Sequence, residues 1–340
     1  MNKKPTLYDV AKEANVSIAT VSNVLNHKSE ASEKTIQRVN EAIKKLGYSR
    51  NESARSLKKG ESKLIGLVVP DNNPFFTEIL NGIQEECELY DWQVVAAASE
   101  ESSARQNQLI KLLSAQKVSG IILAPATDTL ELPIDFSSAP IVLIDRELHN
   151  AELPIIKADN IEGSYKATKT LLRNGHKRIG LILASPGIST TVQRKQGYID
   201  ALKSAQIEAD EKLIRYGGDY TGTKAQIDGG YQAVINMMNL PSPPTAFFVT
   251  NHLLMIGAVK AIKELRLSIP RDIGFIGFDD HPWQEISDPP FTIVSQPAFE
   301  MGRLAVRALN KLKSTGEIVT ASLPLQLIIR KSCGTKNVND

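Results

Sequence analysis

Thr6-Leu7-Tyr8-Asp9-Val10-Ala11 and, after Asn15-Val16, Ser17-Ile18-Ala19-Thr20-Val21-Ser22-Asn23-Val24-Leu25 read as two short helices joined by a tight turn. Thr6 with Asp9 three residues later is a capping-box pattern. Leu7, Val10, Ala11 and Ala14 recur at helical spacing and make one apolar stripe. Asn15 tolerates the left-handed backbone that a sharp break requires. Ser17 starts a second helix, Ile18 to about Leu25, with Val21, Val24 and Leu25 facing inward and Ile18, Ala19, Ser22 and Asn23 outward. A pair of this kind forms a helix-turn-helix, whose second helix fits a DNA major groove. A third helix follows, capped by Ser32, with Ile36, Val39, Ile43 and Leu46 inward and Gly47 as its stop. On patterning alone, a purely structural helical bundle is equally compatible.

Charge distribution gives this segment a direction. The 340-residue chain carries a net charge of only +2. Residues 1–60 hold 12 Lys and Arg against 6 Asp and Glu, which leaves 28 against 32 in the rest. A basic module on a mildly acidic body suits a polyanion-binding headpiece. Cys87 and Cys333, the two cysteines, have neither metal-ligand nor redox spacing, so a reducing cytoplasm is the expected compartment. The N-terminal residues lack the apolar run of a signal peptide, and no segment approaches a membrane span.

Beyond Gly60 the pattern changes to short Val- and Ile-rich runs, each followed by a loop and a helical stretch: Leu64–Val69, Val94–Ala98, Gly120–Leu123, Ile141–Ile144, Arg178–Leu183, Ala246–Val249 and Ile273–Ile276. This alternation predicts parallel α/β sheets. Two series, meeting near Asp159, predict two similar doubly wound subdomains facing a cleft. The chain is expected to cross between them near 160, 290 and 323. Predicted domains are a headpiece over 1–49, a linker over 50–60 and a body over 61–340. One subdomain takes about 61–160 and 291–322, the other 161–290 and 323–340.

Ligands in such sheets sit at the C-terminal strand ends. Those ends carry Asn73, Phe75 and Phe76, then Asp145-Arg146, Arg194, Asn251, Asp279 and Gln296. Aromatic rings stack on the apolar face of a sugar, while Asp, Asn, Arg and Gln bond its hydroxyls. Each residue also has an ordinary explanation: Phe75 and Phe76 as core, Asp145-Arg146 as an ion pair, Asn251 as a helix cap.

Leu7-Tyr8-Asp9-Val10-Ala11, Val16-Ser17, Thr20-Val21-Ser22, Leu25-Asn26 and Leu46-Gly47-Tyr48 together resemble the headpiece of the LacI/GalR family of bacterial repressors. The resemblance implies that Ile18, Ala19 and Asn23 read bases and that Ser17, Thr20 and Ser22 meet the phosphate backbone. It also puts Thr6 and Asn26 at the DNA. Asn23 stands where the family often has Arg. Ala54-Arg55-Ser56-Leu57-Lys58 resembles the family's hinge helix, in which a leucine from each subunit wedges into the minor groove, here Leu57 flanked by Arg55 and Lys58. About eight residues are too few for a stable isolated helix, so folding on DNA as a pair would couple ligand state to affinity. Arg50 replaces the family's usual Pro.

In the body the resemblance extends to the effector domain and to periplasmic ribose-binding proteins. It implies ligand contacts at Asn73, Phe75, Phe76, Asp145, Arg146, Arg194, Asn251, Asp279 and Gln296, and adds Tyr220. His252 replaces an acid common after the Asn. The implied function is a homodimeric repressor of carbohydrate-utilisation genes that binds double-stranded operator DNA under control of a sugar or sugar acid. No cofactor or metal is expected. An enzyme would need chemistry that the motifs lack: there is no GxxxxGK[ST], GxSxG or GxGxxG. His281 beside Asp279-Asp280 reads as a loop histidine before a metal ligand.

Overall fold

The computed structural model describes residues 5–25, 31–48, 62–129, 139–149, 151–217 and 222–334. Asn26, Arg55, Leu57, Lys58 and Tyr220 lie outside them. The chain divides into two compact units, Met1–Glu61 and Ser62–Asp340.

In the first unit, α1 (Leu7–Ala14) opens on the capping box: the Thr6 hydroxyl accepts from Asp9 N, and Thr6 N donates to Asp9 Oδ2 at 2.7 Å. Asn15 ends the helix with φ 49°, the left-handed turn that its side chain tolerates. Ser17 Oγ then accepts from Thr20 N at 3.0 Å and opens α2 (Ile18–Leu25). The third helix, α3 (Glu33–Leu46), starts after Ser32, but that hydroxyl pairs with Thr35 Oγ1 at 3.0 Å and leaves the helix N–H groups alone. Its inward face centres on Val39 and Ala42. Ile36, Ile43 and Leu46, expected inside, are half-buried around them. From α3, Arg38 donates to the carbonyls of Ala14 and Asn15, the second at 3.1 Å. A cation on the C-terminal end of α1 satisfies orphan carbonyls and opposes the helix dipole. The turn before α2 is thereby pinned.

The second unit contains two six-stranded sheets. The first has β1 (Leu64–Val69), β2 (Gln93–Ala98), β3 (Ile121–Leu123), β4 (Ile141–Ile144), β5 (Ile155–Ala158) and the late β11 (Ala321–Leu323), in the order β11-β5-β4-β3-β1-β2. The second has β6 (Ile179–Leu183), β7 (Ile214–Tyr216), β8 (Ala246–Val249), β9 (Gly274–Phe278), β10 (Thr292–Ser295) and β12 (Gln326–Ile328), in the order β12-β10-β9-β8-β6-β7. Strand for strand the two orders are the same. All pairings are parallel except β10 with β12. The central strands are buried along nearly their whole length, which explains their continuous apolar runs.

One boundary differs from expectation. The sequence pattern places residues 291–322 in the first subdomain, yet Thr292–Ser295 pairs with β9 and β12 in the second sheet, and the chain returns only after it. An apolar run such as Thr292-Ile293-Val294 marks a strand, while its sheet is set by which neighbour completes its hydrogen bonds.

Helices cover both sheets. In the first half these include α4 (Pro74–Glu88) and α5 (Ser103–Ala115), in the second α6 (Asn160–Arg173), α7 (Ser189–Ser204), α8 (Thr223–Met238), α9 (His252–Glu264) and the short α10 (Pro282–Glu285). The long α11 (Ala298–Thr315) returns to pack on α4 and the first sheet. Helices α6 and α7 approach so closely that a Cβ on Gly197 would lie 2.2 Å from Ile161 O. Glycine there lets α7 lie directly against the start of α6.

Candidate functional site

In the headpiece, α2 turns Ile18 (48% exposed), Ala19 and Asn23 outward, with Ser17 exposed at its start and Thr20 and Ser22 half-buried beside them. The Ser17 and Thr20 hydroxyls are 2.8 Å apart. Thr6 is exposed, its hydroxyl 2.6 Å from Asp9 Oδ2. Ile18 is an exposed apolar side chain at the start of a helix that otherwise buries its Val residues. It suits contact with a thymine methyl or a sugar edge.

The cleft of the second unit is assembled from strand ends. Asp145 follows β4 and Asp279 follows β9, at equivalent places in the two sheets. Both adopt left-handed backbone, φ 68° and 65°, and both amides donate to the neighbouring strand, to Ile156 O and Val294 O at 2.9 Å each. That conformation costs a non-glycine residue energy, and here it occurs at the end of a strand in each sheet, at two carboxylates close enough for Asp145 to feel Asp279. Arg194, on α7, completes the centre. Its Nε donates to Asn160 Oδ1 at 2.8 Å, its Nη1 to Thr250 O at 2.7 Å, and its guanidinium lies 3.9 Å from the Phe278 ring centroid. All three residues are buried.

Electrostatics follow from this burial. Desolvation pushes the Asp145 carboxyl up to about 6, against the pull of Arg194 and Arg146. Burial likewise raises Asp279, against Arg194 and the Gln296 amide, which donates to Asp279 Oδ1 at 2.7 Å. Asp71, after β1, is raised by burial too and feels Glu101, Arg146 and Asp279. Arg146 divides its charge: Nη1 and Nη2 reach the two Glu101 oxygens at 2.8 Å each, Nη1 also donates to Pro125 O at 3.0 Å, and Nε lies 3.8 Å from Asp145 Oδ2. Among the described residues, Asp145 Oδ1, Arg146 Nε, Gln296 Oε1, His252 Nδ1 and His281 Nε2 are buried atoms with no hydrogen-bond partner. Polar groups at this depth ordinarily have a partner. The His252 and His281 rings meet edge to face at 4.3 Å, and burial, with His281 second, holds His252 down to about 4.

Residues 6–51 match the family model described as bacterial regulatory proteins, lacI family, and residues 168–333 match a periplasmic binding protein-like domain. The HTH-type transcriptional repressor CytR of Escherichia coli (strain K12) is 32% identical over 336 residues, spanning 96% of each chain. The chain belongs to the lacI family. It is a DNA-binding transcriptional regulator and not an enzyme. Among solved structures, the complex of the transcriptional regulator CelR with cellobiose superposes with TM-score 0.71 at 30% identity, covering 96% of this chain and 99% of that one. The lac repressor dimer bound to operator and the anti-inducer ONPF gives 0.80 at 26%, covering 97% and 99%.

Of the lacI-type ligand positions read from sequence, the structure gathers Asp145, Arg146, Arg194, Asp279 and Gln296 into one group. Asn73 and Asn251 use their side-chain oxygens to cap helices: Asn73 Oδ1 accepts from Phe75 N and Phe76 N at 2.9 and 3.2 Å, and Asn251 Oδ1 from Leu253 N and Leu254 N at 2.9 and 3.2 Å. Phe75 and Phe76 are 7% and 4% exposed and pack edge to face with one another in the main core. Sequence reasoning missed Asp71, Glu101, Asn160, Thr250 and the buried faces of His252 and His281. Asp71 and Glu101 each follow a strand, which was the available signal. Among the described residues no helix is long and apolar enough to cross a membrane.

The raised Asp145 carboxyl carries a pH signature. A group held at about 6 in the folded chain, above its ordinary 3.8, favours folding below the lower value, and that contribution is lost as pH rises through about 6. Asp145→Asn keeps the shape and cannot ionise. Unfolding free energies from denaturant titrations should therefore show the variant gaining on the native chain by roughly 2–3 kcal/mol between about pH 4 and pH 8. Parallel pH profiles for the two proteins would refute the assignment.

Proposed function

We propose that this lacI-family regulator is a cytoplasmic repressor of carbohydrate-utilisation genes, dimeric on a two-fold operator, whose effector is a neutral sugar held between its two subdomains. The observation that carries the effector class is the charge of the cleft. Among the described residues, Asp71, Glu101, Asp145 and Asp279 face two arginines, and Arg146 is bound bidentately to Glu101. Arg194 is left with two buried carboxyls, Asp145 and Asp279. A sugar acid or phosphate entering there meets a surplus of negative charge, and like charges at such distances cost several kcal/mol, on the order of 4 kcal/mol at a partly screened 4 Å. A neutral polyol meets no such cost. Its hydroxyls donate to Asp145 and Asp279 and accept from Arg194, in charge-assisted bonds. Structural likeness to a regulator solved with cellobiose supports this class.

On the DNA side, Ile18, Ala19 and Asn23 are the proposed base-reading residues, with Thr6, Ser17, Thr20, Ser22 and Asn26 toward the backbone and Arg55, Leu57 and Lys58 in the minor groove. One helix-turn-helix per chain reads a short half-site. Pairing two by the dimer axis supplies affinity and explains an operator of matching symmetry. Likeness to the lac repressor dimer on its operator supports the same arrangement.

Two experiments test these roles. Calorimetry on the full chain, with neutral sugars, sugar acids, sugar phosphates, nucleosides and nucleobases, should find a neutral sugar as ligand. Arg194→Ala should weaken that binding by roughly 2–5 kcal/mol while operator binding persists. An anion as sole ligand, or undiminished binding by the variant, would overturn the cleft assignment. For the headpiece, Asn pairs its amide with adenine N6 and N7, whereas Arg prefers guanine. Selection from random DNA should give A·T at one position per half-site for the native chain and a shift to G·C for Asn23→Arg, worth about 1–3 kcal/mol. An unchanged consensus would remove Asn23 from the reading set.

A further inference from the structure

Glu147, the second residue after Asp145, belongs to the first subdomain but bonds mainly to the second. Its backbone N–H donates to Ser189 Oγ at 2.9 Å, at the start of α7. One turn further along that helix, Gln193 Nε2 donates to Glu147 Oε2 at 2.7 Å. The other carboxylate oxygen pairs with Lys157 on β5, which fixes the side chain to its own sheet. Gln193 is in turn held from behind, where its Oε1 accepts from Asn160 Nδ2 at 3.2 Å. Asn160 is 1% exposed, stands at the crossing between the subdomains, and presents its Oδ1 to Arg194 Nε at 2.8 Å. Glu147, Gln193, Asn160 and Arg194 therefore form one unbroken relay of hydrogen bonds from the first subdomain to the cleft cation. Adjacent positions on α7 point Gln193 at the clasp and Arg194 at the carboxylates.

From this geometry we infer that Glu147, Gln193 and Asn160 are positioning residues that couple closure of the two subdomains to the orientation of Arg194. Each bond has a directional reason. The carboxylate only accepts, so it draws the Gln193 amide nitrogen toward itself, and this leaves the Gln193 oxygen facing Asn160. The Asn160 nitrogen must then donate to Gln193, and its oxygen is turned to Arg194. Separating the subdomains breaks the first bond and removes what fixes the Gln193 amide; Asn160, whose Nδ2 also donates to Ala158 O at 3.2 Å, then loses its Gln193 partner and the packing that holds it against Arg194. A ligand bound to Arg194 therefore favours the clasped state, and the clasp favours the ligand, as linkage requires. This role for Arg194 rests on the effector reading above, whereas the clasp itself does not.

The relay makes a swap informative. Gln193→Glu puts a carboxylate against Glu147, so the two repel. Adding Glu147→Gln restores a donor facing an acceptor, and the carboxylate introduced on α7 can still accept from Asn160. Sugar affinity by calorimetry should fall about tenfold or more in Gln193→Glu, the effect of losing a charge-assisted bond, and return most of the way in the double variant. Inter-subdomain distances should be followed by energy transfer in full-length chains labelled at Lys111→Cys and Lys263→Cys. The native Cys87 and Cys333 thiols are buried. The unliganded single variant should show a longer or broader distance, and the swap should restore the native one. Native-like distances in Gln193→Glu, or no rescue of distance by the swap, would overturn the clasp. If no sugar binds even the native chain, the effector reading fails while the distances still decide the clasp.

Discussion

A guanidinium taken out of water has to be surrounded by acceptors, and Arg194 is the buried cation on which the cleft depends. Burial alone lowers its tendency to stay charged, and Asp279 and Asp145 offset that. Asn160, the Thr250 carbonyl and the face of Phe278 fix it in place. Removing any one of these partners leaves a buried charge short of a bond, which costs more than the bond contributes when present. The carboxyls share the same constraint from the other side. Crowded and desolvated, Asp71, Asp145 and Asp279 are all shifted toward their neutral forms. A site under this tension gains most from a ligand that donates hydrogen bonds without bringing charge.

The architecture that makes such a site possible was legible in the sequence because parallel strands buried on both faces must be apolar throughout. Leu64–Val69, Ile141–Ile144 and Ala246–Val249 stand where their runs end. Short edge strands such as Ile214–Tyr216 and Gln326–Ile328 left no comparable mark, being only partly buried. Thr292–Ser295 is visible as a strand, but its sheet is not, since pairing partners are a tertiary choice. In the headpiece, Thr6, Asn15 and Gly47 each carried a local conformational reason and each occupies the expected cap.

Within the cleft, residues immediately after strands could be named in advance. What they do could not. Asp145 and Arg146 read as an ion pair and do pair, Nε to Oδ2 at 3.8 Å, yet the hydrogen bonds of Arg146 go to Glu101, more than forty residues earlier in the chain, and Asp145 feels Arg194 as well. Asn73 and Asn251 have the residue type of a hydroxyl reader and the position of a helix cap, and their side-chain oxygens cap. The Glu147 clasp has no local signature at all. Its partners Ser189 and Gln193 lie more than forty residues further along the chain, and only the packing of the two subdomains brings them to Glu147.

A regulator of this design stores its signal in the linkage between cleft and headpiece. The free energy by which the effector alters operator affinity must equal the free energy by which operator alters effector affinity. The most direct measurement is a calorimetric titration of the cognate neutral sugar into the full-length protein, once alone and once saturated with operator DNA. The expected result is two different affinities, separated by a factor of about 5–150, with the same factor recovered when operator binding is measured with and without the sugar. Identical sugar affinities in the presence and absence of operator would contradict the account, because the cleft would then bind its ligand without controlling DNA.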